Sequence, residues 1–215
     1  MQLIGMLDSP YVRRCAISFQ LLGLPFKHQS LSVFRTYDQF RHINPVVKAP
    51  SLVCDDGEVL MDSTLILQYA EGIAKSGRSL MPRAGAQRQH ALRLIGLGLA
   101  ACEKSVQIVY ERDLRPAEKQ HEPWVTRVTE QLMAAYDTLE EEIQRRPLAA
   151  TSVSIDQAGV TTAVAWQFTQ MMIPQIVLAT RYPALAGYSA RCEELTEFAA
   201  APHGSGTYRP ARAAS

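Results

Sequence analysis

Residues 49–70, "APSLVCDDGEVLMDSTLILQYA", decide the fold. Two apolar runs flank Asp55-Asp56-Gly57-Glu58, a loop with turn chemistry, so the segment predicts a β-hairpin. Immediately after it, Ser63 stands as the expected cap of a helix in "TLILQYAEGIA", where Leu65, Ile66, Tyr69 and Ile73 share one face. Upstream, "FRTYDQFRHI" (34–43) predicts a helix ended by Asn44-Pro45. Pro25 opens a weaker strand in "FKHQSLS", and "QLIGML" (2–7) is a short apolar strand. Between those strands Val12, Cys15, Ala16, Phe19 and Leu22 recur at helical spacing, and Gly23 stands where a helix end favours positive φ. The order strand-helix-strand-helix-strand-strand-helix implies a small α/β sandwich whose parallel part is the first βαβ unit.

Past "KSGRSLMPRAGAQ" (75–87) the strand signals stop. Residues 86–112 carry a long helical pattern, expected to break or bend near Gly96 and Gly98. In 124–145, Val125, Val128, Leu132, Tyr136, Leu139 and Ile143 mark an amphipathic helix. "VSIDQAGVTTAVAWQF" (153–168) is apolar almost all round, as the buried centre of a bundle would be, and Ser154 with Gln157 reads as a capping box. "YPALAGYSARCEELTEF" (182–198) closes the helical half. The expected division is an α/β domain over 1–82 and an all-helical domain over 83–215, with a mobile tail from about 203.

Composition narrows the function. The chain has 215 residues, 47% hydrophobic and 20% charged, with a net charge of +1, so neither nucleic acid nor an anionic membrane has an electrostatic claim on it. The pairs Arg13-Arg14 and Arg145-Arg146 read as solvated helix faces. Four cysteines, Cys15, Cys54, Cys102 and Cys192, lie far apart and form no metal-ligand spacing with the five histidines, which reads as free thiols in a reducing compartment and no metal. No signal peptide and no membrane-length apolar run is visible, so the expected location is cytoplasmic.

Within "DSPYVRRC" (8–15), Ser9 precedes Pro10 at the start of a helix. Ser at N-cap and Pro at N1 are favoured for backbone reasons alone. A hydroxyl at a helix N-terminus can also hold an anion. The residues by themselves leave both readings open.

The ordered trio "SPYVRR" (9–14), "NPVVKAPSL" (44–52) and "DGEVLMDSTLILQYA" (56–70), followed by an all-helical half, resembles the glutathione transferases of the serine type. The resemblance runs from residue 2 to about 200. It implies a thioredoxin-like N-terminal domain and a helical-bundle C-terminal domain. Ser9 would be the catalytic hydroxyl, and Val12 stands where thioredoxins keep their second cysteine. Pro50 would follow a cis bond, with the Ala49 backbone facing the cysteinyl part of glutathione. Asp62 and Ser63 would hold the γ-glutamyl amine and carboxylate, Lys48 the glycyl carboxylate, and Arg35 would add a contact. The second substrate would lie between the domains, near Tyr11, Phe34, Tyr110 and Trp166. The family's capping box carries Asp at its fourth position, where Gln157 stands here with Asp156 before it. Asp8, beside the proposed thiolate, is expected to face solvent or pair with Arg13, since an inward carboxylate would oppose the anion.

The chemistry implied is modest. A free thiol titrates near ~8.5, and lowering it by about two units needs ~2.7 kcal/mol in favour of the thiolate. A hydroxyl bonded to a charged partner supplies ~1.5–3 kcal/mol and a helix N-terminus ~0.3–1 kcal/mol more. The resemblance therefore implies a cytoplasmic homodimer active in detoxification, with glutathione as co-substrate and a small electrophile as partner. Two alternatives stand beside it: a glutathione-dependent isomerase or dehalogenase, and a non-catalytic interaction scaffold.

Overall fold

The computed structural model describes residues 1–83 and 85–209. The chain forms two compact units, Met1–Leu80 with Glu194 onward, and Met81–Glu193.

The first unit carries β1 (Gln2–Ile4), α1 (Pro10–Leu21), β2 (Lys27–Gln29), α2 (Tyr37–Ile43), β3 (Ser51–Val53), β4 (Val59–Met61) and α3 (Ser63–Ile73). This is the element order the apolar periods predict. The sheet runs β2-β1-β3-β4. β1 and β2 are parallel with Leu3 opposite His28, while β3 is antiparallel to both β1 and β4. Ile4, Leu31 and Phe40 form a buried cluster under Val33, Ile43 and Val47. The predicted face of α1 is fully buried at Val12, Cys15, Ala16 and Phe19, and Gly23 leaves the helix at φ +69°.

The second unit packs α4 (Gly85–Asp113), α5 (Glu122–Arg145), α6 (Gln157–Met172) and α7 (Pro183–Glu193). α4 runs through Gly96 and Gly98 without the expected break. Gly98 serves close packing instead, since a Cβ there would lie 3.0 Å from Thr161 Cγ2 on α6. The cap of α6 also differs from the expected box. Asp156, adjacent to the helix, accepts from the Gly159 N–H at 2.8 Å, while the Ser154 hydroxyl bonds the Thr151 hydroxyl. Gly159 lies against α7: a Cβ there would sit 2.3 Å from Tyr188 Oη and 3.0 Å from Ile155 Cγ1. Gly159→Ala should therefore overpack this contact and cost about 1–3 kcal/mol in urea denaturation. A loss below about 0.5 kcal/mol would show that Tyr188 yields without strain.

The end of the chain departs most from expectation. Residues 182–198 divide between the two units: α7 stops at Glu193, and the short α8 (Thr196–Ala199) belongs to the first unit. Arg13 Nε donates to the Ala201 carbonyl at 2.7 Å, and its guanidinium lies 5.6 Å from the centre of the buried Phe198 ring. Ser30 Oγ donates to the Ser205 carbonyl at 2.8 Å, and Tyr208 stacks on Phe26 at 4.6 Å. The Tyr208 N–H donates to His28 Nδ1 at 2.9 Å, so His28 Nε2 carries the ring proton and donates to the Gly5 carbonyl at 2.7 Å. Burial lowers the His28 pKa, which suits this neutral ring. Residues 203–209, expected to be mobile, thus include groups bonded to β2 and its flank; residues 210–215 lie outside the described residues. Arg13 and Arg14 are not solvated either, being 1% and 2% exposed. α1 is buried nearly all round and leaves them no polar face.

Candidate functional site

Gly5 organises the site because a side chain there has no room. Its φ is +132°, and a Cβ would lie 2.6 Å from Val12 Cγ2 and 3.2 Å from Ala49 Cβ. The end of β1, the first turn of α1 and the loop before β3 therefore meet at this point. Ser9 follows in the β1–α1 connection as the N-cap of α1, with φ −72° and ψ 123° and Pro10 at N1. Its side chain makes no capping hydrogen bond. The backbone uses Ser9 as a cap, accepting from the Arg13 N–H at 3.0 Å, and the half-buried hydroxyl is left over.

The Ala49–Pro50 bond is cis, as the resemblance implies. Its loop is tied by Asn44 Nδ2, which donates to Ser51 Oγ at 2.8 Å, and by Ser51 Oγ, which donates to the Lys48 carbonyl at 2.8 Å. Val47 (φ 52°) and Asp62 (φ 70°) are the non-glycine residues with positive φ among the described residues. Such conformations persist where the surroundings over-determine them, commonly at ligand sites.

Asp62, not Ser63, caps α3. Its Oδ1 accepts from the Thr64 N–H at 2.9 Å, and Oδ2 lies 3.6 Å from Lys48 Nζ. Ser63 is the first helical residue and 3% exposed. Its hydroxyl accepts from Arg14 Nη1 at 3.1 Å. The sequence reading passed over Arg14. Its partner Ser63 lies 49 residues away, so no local pattern marks Arg14 as buried.

Asp8 is half-buried, and burial raises its pKa against the lowering influence of His203, the Ser9 N–H and Arg35. It neither faces open solvent nor depends on Arg13, which is engaged with Ala201 and Phe198. His203 also escaped the sequence reading, because it arrives from the chain's far end. Arg35 is exposed, with Nη2 3.6 Å from Met6 Sδ.

Of the aromatic candidates, Tyr11 is half-buried and Phe34 exposed in the first unit, and Tyr110 is exposed on α4. Trp166 is 3% exposed and packs edge-on against Tyr136 and Tyr182, at 5.3 and 5.7 Å. It belongs to the core of the helical unit and is corrected from a ligand wall. All four cysteines are free and buried. Burial pushes the Cys15 thiol up to about 12 and Cys192 up to about 11, so neither is a nucleophile at neutral pH. Among the described residues no group of three or more His, Cys, Asp or Glu could hold a metal ion, and no helix is long and apolar enough to cross a membrane.

This α/β unit followed by a helical one is the architecture of the thioredoxin-like, two-domain transferases. The family model described as glutathione S-transferase, N-terminal domain, matches residues 3–78. A GST-like protein of Escherichia coli, YibF, is 25% identical over 166 residues, covering 77% of this chain and 81% of its own. A glutathione transferase family member from Pseudomonas fluorescens, solved with bound glutathione, is 27% identical, with 98% of each chain covered and a TM-score of 0.81. The same organism's family member with bound S-(propanoic acid)-glutathione is 26% identical over 100% of this chain and 99% of that one, with a TM-score of 0.78. Residues 3–78 thus match the N-terminal domain of glutathione S-transferases, and along nearly its whole length the chain is similar to these glutathione transferase family members.

Proposed function

We propose that the protein is a glutathione transferase that binds glutathione on its first unit and presents the thiolate to a small electrophile. The observation that carries this is the Ser9 hydroxyl, set at the N-terminus of a twelve-residue helix and unused by that helix. A hydroxyl spared from capping can donate to a thiolate sulfur, and the α1 dipole favours the same charge. The flanking residues suit a γ-glutamyl tripeptide. Asp62 offers a carboxylate to the amine, and Ser63 with the first amides of α3 faces the γ-glutamyl carboxylate. Ala49 offers its backbone to the cysteinyl part, and Lys48 and Arg35 offer cations to the glycyl end. Tyr11 and Phe34, both on the first unit, are the proposed contacts of the electrophile. A cytoplasmic homodimer acting in detoxification completes the reading.

Calorimetric titration tests it. Glutathione should bind saturably, and Asp62→Ala should weaken binding about tenfold or more, since a charge-assisted contact and the α3 cap are lost together. No heat and no shift in melting temperature at several millimolar glutathione would sink the enzyme and favour an interaction scaffold.

A further inference from the structure

We infer that Arg14 is a positioning residue that turns the Ser63 hydroxyl proton toward the γ-glutamyl carboxylate of bound glutathione. The inference rests on the glutathione reading and names the device that readies one end of that site. Arg14 is 2% exposed, and Nη1 lies 3.1 Å from Ser63 Oγ and 3.4 Å from Thr64 Oγ1. A guanidinium has donors only, so Ser63 Oγ must be the acceptor. With a lone pair fixed by Arg14, the Ser63 proton can go only to another acceptor. Among the described residues Arg14 is the one hydrogen-bond partner of that oxygen. The proton is therefore available to an incoming carboxylate, and the hydroxyl needs no reorientation when the ligand arrives.

The charge helps as well as the geometry. Arg14 lies beneath the first turn of α3, whose N-terminal amides already favour an anion. Its position is held from α1, where the neighbouring Cys15 thiol approaches the Ser63 carbonyl at 3.8 Å. The charges of Arg14 and Asp62 both act on Cys15, in opposite senses, so cation and carboxylate share one neighbourhood. Asp62 would thus take the ligand's amine while Arg14, through Ser63, readies the donor for its carboxylate. The planar fork matters, because one guanidinium nitrogen is within reach of two hydroxyls while the side chain stays buried.

The test separates an action on the carboxylate from an action on the fold. Wild type, Arg14→Met, Arg14→Lys, Ser63→Ala and the Arg14→Met/Ser63→Ala pair are titrated with glutathione and with γ-aminobutyryl-cysteinyl-glycine, which lacks only the α-carboxylate. Arg14→Met should bind glutathione about tenfold more weakly and bind the analogue within about twofold of wild type. The double variant should lose less toward glutathione than the sum of the two single losses, because part of the Arg14 effect acts through that hydroxyl. Equal weakening toward both ligands in a folded Arg14→Met would overturn the inference and leave Arg14 a structural cation. If Arg14→Met does not fold, Arg14→Lys decides, with a smaller loss toward glutathione alone as the expected result and a loss toward both ligands as the overturning one. A wild type that binds neither peptide removes the glutathione reading itself, and this inference with it.

Discussion

Ser9→Ala is expected to leave stability within about 0.5 kcal/mol of wild type while lowering glutathione-dependent turnover at pH 7 about tenfold or more. The two halves of that result come from one geometric fact. An N-cap serine that bonds its helix loses about 0.5–2 kcal/mol when replaced by alanine. The Ser9 side chain makes no such bond, so the usual penalty has no source. The hydroxyl's remaining use is toward a ligand. Without it the bound thiol should titrate at least about one unit higher, the equivalent of ~1.4 kcal/mol lost from the thiolate. Ultraviolet titration of the bound thiolate reads this directly. Ser9→Cys probes the same spot by a second route. A thiol at a helix N-terminus has a lowered pKa and attacks disulfides, so the variant should take up one glutathione from oxidised glutathione, visible by mass spectrometry. An unchanged thiol pKa in Ser9→Ala together with no added mass in Ser9→Cys would deny the site its central group.

What the sequence discloses and what it conceals divide along physical lines. The α/β order was legible because each element carries its own period and punctuation: Gly23 after α1, Asn44-Pro45 after α2, Asp56-Gly57 in the hairpin. Ser9, Pro50 and Asp62-Ser63 were legible as a spaced set; Gly5 packed against Val12 and Ala49 shows why α1 and the loop before β3 meet, and Arg14 bonded to Ser63 ties α3 to α1. The caps were read one or two residues off. Ser and Asp are both good N-caps, and at "DS" and "SID" the sequence does not say which oxygen faces the amides. Gly98 was read as a helix breaker, when close approach of Thr161 is what requires it. Arg13 and Arg14 were hidden by a rule that is usually sound, that paired cations lie in water. It fails here because their partners, Ala201 and Ser63, are 188 and 49 residues away. No local pattern records such a distance.

The same distance makes the chain's end structural. Phe198→Ala is expected to cost about 3–5 kcal/mol, the range for emptying a fully buried aromatic site. For a domain of this unit's size that corresponds to a fall in Tm of more than about 10 °C. The loss is more than a cavity. Phe198 is the ring beneath the Arg13 guanidinium, and Arg13 in turn holds the Ala201 carbonyl. Removing the ring leaves a buried cation with less favourable surroundings, where desolvation is least forgiving. The effect should decay along the segment. Tyr208→Ala removes a stacked pair at the half-buried Phe26, worth about 0.5–1.5 kcal/mol, and its main-chain bond to His28 can survive the substitution. Thermal melts of the two variants therefore measure a gradient, steep at 198 and shallow at 208. Equal small shifts at both positions would mean that Arg13 is satisfied without this segment. A steep loss at 198 is the expected result, because residues 194–201 belong to the α/β unit although the local sequence pattern assigns them to the helical half.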